Sequence, residues 1–253
     1  MLRIEVHETA DEAAIAASGY AAGLLRDAIA SNGEARLVAA TGNSQLAFLA
    51  DLVARSGVDW PMIEMFHLDE YVGVGDDHPA SFARFMRQRL VEPTGITRHH
   101  LIDGTADPVE ECRRLGGLLA GRAPDVLFLG IGENGHLAFN DPPADVTTDD
   151  AYLIVELDDA CRAQQVGEGW FAGVADVPTH AISMSMRQIL RAERIVGVVT
   201  DERKARAMSA CFGGEISPDA PASYLRTHDD ARLFVDCAAV SLLGSDVLAA
   251  FTG

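Results

Sequence analysis

The sequence predicts an α/β fold in which helices cover both faces of a mainly parallel, doubly wound sheet. Short apolar runs alternate along the chain with longer segments whose apolar residues recur at helical spacing. The apolar runs are nearly continuous, as expected for strands that are buried on both faces. The chain has 253 residues and 48% apolar content, so we expect residues 1–253 to form a single domain.

The alternation can be followed from one end of the chain to the other. The predicted strands are 2–6, 35–40, 63–68, 99–103, 125–131, 151–157, 180–186, 194–200 and 232–236. The predicted helices are 10–31, 46–57, 80–91, 108–122 and 202–214. Segments 142–150 and 164–178 lack clear periodicity, so we expect long loops there, which could form a lid over a site within 142–178.

Charge and cysteine content exclude several classes of function. The net charge of −18 argues against binding to nucleic acid or to an anionic membrane, both of which need a basic surface. Four scattered cysteines without a CxxC pair indicate neither a disulfide framework nor a zinc site, and we expect no metal. We see no secretory signal and no apolar run near the length of about 18 residues that a membrane span needs, so we expect a cytoplasmic protein with a small-molecule partner.

A polar cluster follows the strand at 35–40. Thr41, Gly42, Asn43 and Ser44 stand where that strand runs into a helix, and they supply hydroxyls and backbone N–H groups. Together with the helix dipole, such groups can bind a phosphate. An ordinary helix-capping turn would account for the same residues equally well.

Two more polar clusters follow predicted strands. Asp69 and Glu70 form a carboxylate pair that could include a general base, although a solvated acidic turn is the more common meaning of such a pair. His136 is of the residue type that most often transfers protons, and Asn134 and Asp141 could orient it, or it could be merely structural. Ligands of open α/β sheets bind beyond the carboxyl ends of the strands, so the three clusters together suggest a sugar-phosphate isomerase-type site.

Five stretches carry a resemblance to a known family: "ATGNS", "LDEYVG", "HPASF", "GIGENGHLAFNDP" and "PASYLRTH". With them the chain resembles the glucosamine-6-phosphate deaminase (isomerase) family, which shares a superfamily with the 6-phosphogluconolactonases. The resemblance implies a Rossmann-like fold and conversion, without a cofactor, of glucosamine 6-phosphate or a close hexosamine 6-phosphate to the ketose phosphate and ammonia. It implies that His136 opens the sugar ring, that Asp69 carries the C2 proton to C1, and that Lys204 helps the 41–44 loop to bind phosphate.

The chain also departs from the family pattern. Asn43 and Gln45 stand where a small residue and a proline are usual, and Asp141 stands where the family has glutamate. Arg162 aligns with a family arginine, but a second lid arginine is replaced in the Glu168–Gly169 region. Arg162 or Arg226 could compensate for it, or the substrate could differ. The basic residues that bind an allosteric effector in some members are not evident, so we expect no such activation.

Two alternatives compete with the deaminase interpretation. A lactone hydrolase would show a DGHxAS pattern in place of "NGHLAFN". A non-catalytic sugar-phosphate sensor would not need both Asp69 and His136, and the chain shows no appended basic DNA-binding module. Association into a homo-oligomer is compatible with each of these functions.

Overall fold

The computed structural model describes residues 1–167 and 169–252, in which strands and helices alternate as predicted. The strands are β1 (Arg3–His7), β2 (Ala35–Ala39), β3 (Ile63–His67), β4 (Asp69–Tyr71), β5 (Arg98–His100), β6 (Val126–Leu129), β7 (Tyr152–Glu156), β8 (His180–Met184), β9 (Arg194–Val199) and β10 (Ala231–Asp236). The α-helices are α1 (Ala10–Asn32), α2 (Asn43–Ala54), α3 (Phe82–Met86), α4 (Glu92–Thr94), α5 (Pro108–Leu119), α6 (Asp159–Gly167), α7 (Met186–Leu190), α8 (Ala205–Gly213) and α9 (Ser245–Ala249). A π-helical turn, Arg87–Val91, joins α3 to α4.

Seven of the strands form one parallel sheet in the order β1-β10-β9-β6-β2-β3-β5. Successive side chains of a strand face opposite sides of a sheet. In β2, Leu37 and Ala39 therefore pack against α1 and α2, whereas Val38 joins the core on the other side with α5, α7 and α8. This arrangement confirms the predicted mainly parallel α/β fold with helices on both faces.

The order of the strands reverses direction between β2 and β6. From β2 the chain adds β3 and then β5 toward one edge, and it then returns to place β6, β9 and β10 on the other side of β2. The connections that leave β2 and β6 diverge at their carboxyl ends and open a crevice there. In doubly wound sheets this reversal point is where ligands bind.

A second, antiparallel sheet of three strands, β4-β8-β7, was not predicted. The predicted strand 63–68 ends at His67, and the chain changes sheets at Leu68. The N–H of Leu68 donates to the carbonyl of Ala39 in the main sheet, and its carbonyl accepts from the N–H of Met184 in the small one. Asp69 therefore begins a strand of the small sheet immediately beside the carboxyl end of the large one.

The segment 142–178 contains more regular structure than expected. The predicted loop at 164–178 begins inside α6, which continues to Gly167, and the helix is one wall of the cavity described below. No helix in the described part of the chain combines the length and the apolar character that crossing a bilayer requires.

Candidate functional site

A cavity of about 360 Å³ lies at the carboxyl ends of the parallel strands, in the crevice between β2 and β6. Its wall includes residues that follow β2, β3, β6 and β9 directly, which agrees with the position expected for a ligand site in this architecture. The lining residues are Ala10, Ala40, Thr41, Gly42, Asn43, Ser44, Leu68, Asp69, Phe82, Gly130, Ile131, Gly132, His136, Ala138, Phe139, Gln164, Gln165, Thr200, Asp201, Arg203, Lys204 and Asp236. The cavity thus brings together the three polar clusters and the lysine that the sequence singled out.

The start of α2 forms one side of the cavity. Gly42 precedes the helix with φ of 114°, a backbone conformation that favours glycine, and no side chain caps the first turn. The uncapped N–H groups and the positive end of the helix dipole favour an anion at this position. Gln45 is fully buried, and its Nε2 donates to Ser44 Oγ (3.1 Å) and to the carbonyl of Leu129 (3.4 Å). Gln45 therefore ties the 41–44 loop to the end of β6.

Asp69 lies in the cavity wall with 7% of its surface exposed, and its Oδ1 has no hydrogen-bond partner among the described residues. Burial, reinforced by the charge of neighbouring Glu70, raises the pKa of Asp69 to about 8. A carboxylate with a raised pKa is a stronger base than an exposed one. In its ionised form, Asp69 can therefore act as a base toward a bound ligand.

Glu70 does not reach the cavity, because successive residues of a strand face opposite sides. Its carboxylate accepts hydrogen bonds from the N–H groups of Tyr71 (2.9 Å), Phe82 (3.2 Å) and Ala83 (2.7 Å), and from Ser81 Oγ (2.9 Å). Burial raises the pKa of Glu70 to about 7, although these four hydrogen bonds oppose the shift. The structure thus departs from the predicted place of Glu70 in the site, since this residue anchors the start of α3 to β4.

His136 lines the cavity, with Asn134 and Asp141 behind it. Its Nδ1 lies 2.7 Å from Asp141 Oδ1, so the aspartate bridges the gap to the imidazole despite its short side chain. Asn134 Nδ2 donates to the same oxygen (2.9 Å), and Asn134 Oδ1 accepts from the N–H of His136 (3.1 Å). Burial would raise the pKa of Asp141, but the hydrogen bond and charge of His136 outweigh it, and the pKa is lowered.

The ionised state of Asp141 fixes which nitrogen of His136 carries the proton. A carboxylate can only accept a hydrogen bond, so Nδ1 of His136 donates to it and Nε2 remains for a ligand. Gly132 permits this position of the ring, because a Cβ on Gly132 would lie 2.3 Å from Nε2. The second glycine of "GIGENGH", Gly132, is therefore required for the close approach of the imidazole.

The turn after β9 supplies the cations of the cavity, Arg203 and Lys204. Asp201 adopts φ of 90° in this turn, which is uncommon for a residue with a side chain. The turn is held by the carboxylate of Asp236, whose oxygens accept from the N–H of Asp201 at 3.2 and 3.1 Å, and by Asp201 Oδ1, which accepts from the N–H of Arg203 (2.9 Å). Lys204 is the only lysine in the 253 residues, in contrast to 19 arginines.

Sequence reasoning missed several residues of the cavity wall. Arg203 could have been found from its place beside Lys204 at a strand end. Gln164 and Gln165 lie on α6, where the sequence indicated a loop, and no motif marks them. Gln165 is buried and accepts a hydrogen bond from Tyr71 Oη (2.5 Å), which attaches α6 to β4.

The predicted compensating arginines do not reach the cavity. Arg162 donates to the carbonyls of Val174 (2.7 Å) and Val177 (3.3 Å) and lines a separate surface pocket. Arg226 donates to the carbonyl of Gly214 (2.7 Å). Glu168, which stands near the position of the missing lid arginine, lies outside the described residues. Among the residues that the structure describes, Arg203 is the arginine that lines the cavity.

Comparison with known proteins agrees with this architecture. Residues 8–234 match the family model described as "Glucosamine-6-phosphate isomerases/6-phosphogluconolactonase". The chain is 32% identical over 233 residues to a glucosamine-6-phosphate deaminase of Clostridium acetobutylicum, covering 89% of this chain and 95% of that protein. It is 37% identical over 223 residues to a glucosamine-6-phosphate deaminase of Streptococcus pneumoniae, covering 87% and 92%.

Solved structures show the same fold. A monomeric glucosamine-6-phosphate deaminase of the NagB superfamily superposes with a TM-score of 0.85 at 30% identity, covering 95% of this chain and 100% of that one. A 6-phosphogluconolactonase from Trypanosoma brucei superposes with a TM-score of 0.80, covering 96% and 99%, but at 16% identity it supports the fold alone. The chain belongs to the glucosamine-6-phosphate isomerase/6-phosphogluconolactonase family.

Proposed function

We propose that the protein is a hydrolytic deaminase that converts glucosamine 6-phosphate, or a close hexosamine 6-phosphate, to the corresponding ketose 6-phosphate and ammonia. One observation carries the proposal: a carboxylate with a raised pKa, Asp69, and an oriented imidazole, His136, line the same cavity as an uncapped helix start and Lys204. This set of groups matches an amino sugar phosphate, which needs an anion site at one end and proton transfer at the other.

In the proposed complex the phosphate lies against the 41–44 loop with Lys204 beside it. Amide N–H groups and an ammonium suit a phosphate dianion, and each charge-assisted hydrogen bond contributes about 1.5–3 kcal/mol. The other end of the sugar then lies near Asp69 and His136. Residues 142–178, which contain α6, would close over the bound sugar as a lid.

His136 begins the reaction. Its Nε2 accepts the proton of the anomeric hydroxyl and returns a proton to the ring oxygen, which breaks the C1–O5 bond and leaves an aldehyde at C1. The proton on Nδ1 stays shared with Asp141, whose negative charge stabilises the imidazolium that forms in between. Asn134 keeps that carboxylate in position.

Asp69 then moves the proton between carbon atoms. The carboxylate removes the proton from C2, the electrons of the C2–H bond form a C1–C2 double bond, and the aldehyde oxygen takes up a proton. Asp69 returns its proton to C1, which leaves an imine at C2. Water adds to the imine carbon and ammonia leaves, so the products are the ketose phosphate and ammonia.

The test is to incubate the purified protein with a panel of 6-phosphorylated amino sugars and to measure ammonia and ketose phosphate together. We expect both products in equal amounts from at least one hexosamine 6-phosphate. A lactone of 6-phosphogluconate serves as the competing substrate. Hydrolysis of the lactone without ammonia from any amino sugar would favour the lactonase, and binding without any turnover would favour a sensor.

Asp69→Asn identifies the base. The amide is similar in shape but cannot take a proton from carbon, so turnover should fall by about 10²–10⁴-fold while the dissociation constant of the sugar phosphate changes little. The measurements are ammonia release and calorimetric binding on the same preparation. Near-normal turnover in this variant would refute the role of Asp69. A cytoplasmic location and association into a homo-oligomer remain predictions from the sequence.

A further inference from the structure

Behind His136 lies a cluster of three different metal-binding side chains. One ligand atom from each of His136, Asp141 and Cys161 lies within 4.8 Å of the other two. Cys161 is 1% exposed in the first turn of α6, and the side chains of His136 and Asp141 are each 10% exposed. His136 and Asp141 lie in one loop and Cys161 lies in α6, so their spacing in the sequence matches no common metal-binding motif.

The second carboxylate oxygen of Asp141 has unused capacity. Asp141 Oδ1 accepts from both His136 and Asn134, whereas Oδ2 is buried and has no hydrogen-bond partner among the described residues. The Cys161 thiol lies beside this carboxylate, within 4.8 Å of its ligand atom. A buried carboxylate oxygen without a partner is costly, and a cation would satisfy it.

The donor set selects the kind of cation. One imidazole nitrogen, one carboxylate oxygen and one thiol sulfur are the ligands that Zn²⁺ takes in proteins, whereas Mg²⁺ and Ca²⁺ prefer oxygen alone. Tetrahedral bonds of about 2.0–2.3 Å place ligand atoms about 3.3–3.7 Å apart. The contact of 2.7 Å between His136 and Asp141 would have to widen slightly and the longest separation would have to shorten, which small side-chain rotations can achieve.

We propose that His136, Asp141 and Cys161 form an inhibitory Zn²⁺ site with a fourth position open to water. The cation enters through the cavity that His136 lines. The thiol loses its proton to solvent as the sulfur–zinc bond forms. The imidazole binds through Nδ1, and the proton on Nδ1 is lost while Nε2, on the cavity side, takes up a proton, so the ring stays neutral. The inhibitory effect rests on the proposed function, because Zn²⁺ then occupies the two residues that we assign to ring opening.

Cobalt replaces zinc as a visible probe. The metal-free full-length protein is titrated with Co²⁺, and absorption from thiolate-to-cobalt charge transfer is recorded in the wild type, in Cys161→Ser and in Cys211→Ser. Cys211 is the matched control, since it is an equally buried thiol in α8. We expect the band at one Co²⁺ per chain in the wild type and in Cys211→Ser, its displacement by Zn²⁺, and its absence from Cys161→Ser.

Absence of the band in the wild type, or its persistence in Cys161→Ser, would overturn the proposal. Loss in Cys211→Ser would do the same, because it would move the site elsewhere. X-ray absorption at the zinc edge of the wild type with one Zn²⁺ bound needs no variant. One sulfur in the coordination shell supports the site, and none contradicts it. These measurements need no turnover, so they stand even if the deaminase assay fails.

The last measurement is the effect of Zn²⁺ on ammonia release. If the protein is a deaminase, Zn²⁺ should inhibit ammonia release by the wild type, and a chelator should restore it. The Zn²⁺ concentration for half inhibition should be at least about tenfold higher in Cys161→Ser than in the wild type, since loss of a single metal contact typically costs about 10–100-fold in affinity. Equal inhibition of both proteins would place the inhibitory site outside this cluster.

Discussion

Asp69 and Glu70 are neighbours in sequence and both buried, yet they have opposite surroundings. Glu70 accepts four hydrogen bonds, whereas Asp69 Oδ1 has no partner among the described residues and its carboxylate faces the cavity. Folding has therefore satisfied the hydrogen-bonding capacity of Glu70 and left one oxygen of Asp69 without a partner at the cavity wall. This contrast, more than the presence of two acids, distinguishes a base from a structural anchor.

The raised pKa of Asp69 predicts the direction of the pH dependence. The base must be ionised, so kcat/KM should rise as pH rises and level off above about 8, the pKa to which burial and Glu70 raise Asp69. Glu70→Gln removes the neighbouring charge but keeps an oxygen acceptor, so the rising limb should move to lower pH. The measurement is kcat/KM against pH for both proteins. A profile that falls over this range, or a limb that moves to higher pH in the variant, would contradict this account.

At the scale of secondary structure elements, the loop after β6 positions His136 through one close contact. A Cβ on Gly132 would overlap the imidazole at 2.3 Å from Nε2, so Gly132→Ala must displace the ring from its place between Asp141 and the cavity. We expect kcat to fall about 10²-fold or more, as misplacement of a catalytic group by about 1 Å commonly causes. The measurement is kcat beside thermal unfolding.

Gly117→Ala is the matched control for this substitution. Gly117 lies inside α5, and a Cβ there would meet no atom within 4 Å. An alanine in a helix interior is favoured over glycine by about 0.5–1 kcal/mol, so this variant should be slightly more stable and fully active. If Gly132→Ala keeps wild-type kcat, the ring does not depend on the glycine and our assignment of the Nε2 position fails.

Some secondary structure elements could be predicted from the sequence and others could not. The buried parallel strands were predictable because short, continuous apolar runs between helical segments are typical of strands covered on both faces. The polar ends of β2, β3 and β6 follow from the same pattern. The change of sheets at Leu68 was not predictable, since it depends on a hydrogen bond from Met184, a residue distant in sequence. Short strands paired across such a distance leave no local periodicity.

The orientation of α6 explains why one predicted site residue lies elsewhere. Arg162 and Gln164 are two positions apart, which is about 200° around an α-helix, so their side chains point in different directions. Gln165, which also lines the cavity, accepts a hydrogen bond from Tyr71 Oη. The structure directs Gln164 to the cavity and Arg162 to the carbonyls of Val174 and Val177. A resemblance can suggest that a residue type is used, but packing of the helix decides which face meets the ligand.

At the scale of the whole molecule, the net charge of −18 opposes the binding of a phosphate, so the affinity must come from local groups. The reversal of strand order between β2 and β6 brings together the uncapped start of α2 and the turn that carries Arg203 and Lys204. Groups that can bind an anion are thereby brought together in one crevice of an acidic protein. The chain uses its only lysine here, and an ammonium is a compact charge that suits a phosphate oxygen.

This concentration of charge predicts ligand-dependent stability that rests on Lys204. The sugar alcohol of glucosamine 6-phosphate has no carbonyl and cannot react, and at about a hundred times its dissociation constant it should stabilise the fold by about 2.7 kcal/mol. For a chain of this size that corresponds to a rise in Tm of about 5–10 °C. The unphosphorylated sugar alcohol at the same concentration should leave Tm nearly unchanged. Lys204→Met should remove most of the rise and Lys204→Arg should retain part of it, measured by differential scanning calorimetry. An undiminished shift in Lys204→Met would mean that the phosphate binds away from the turn after β9.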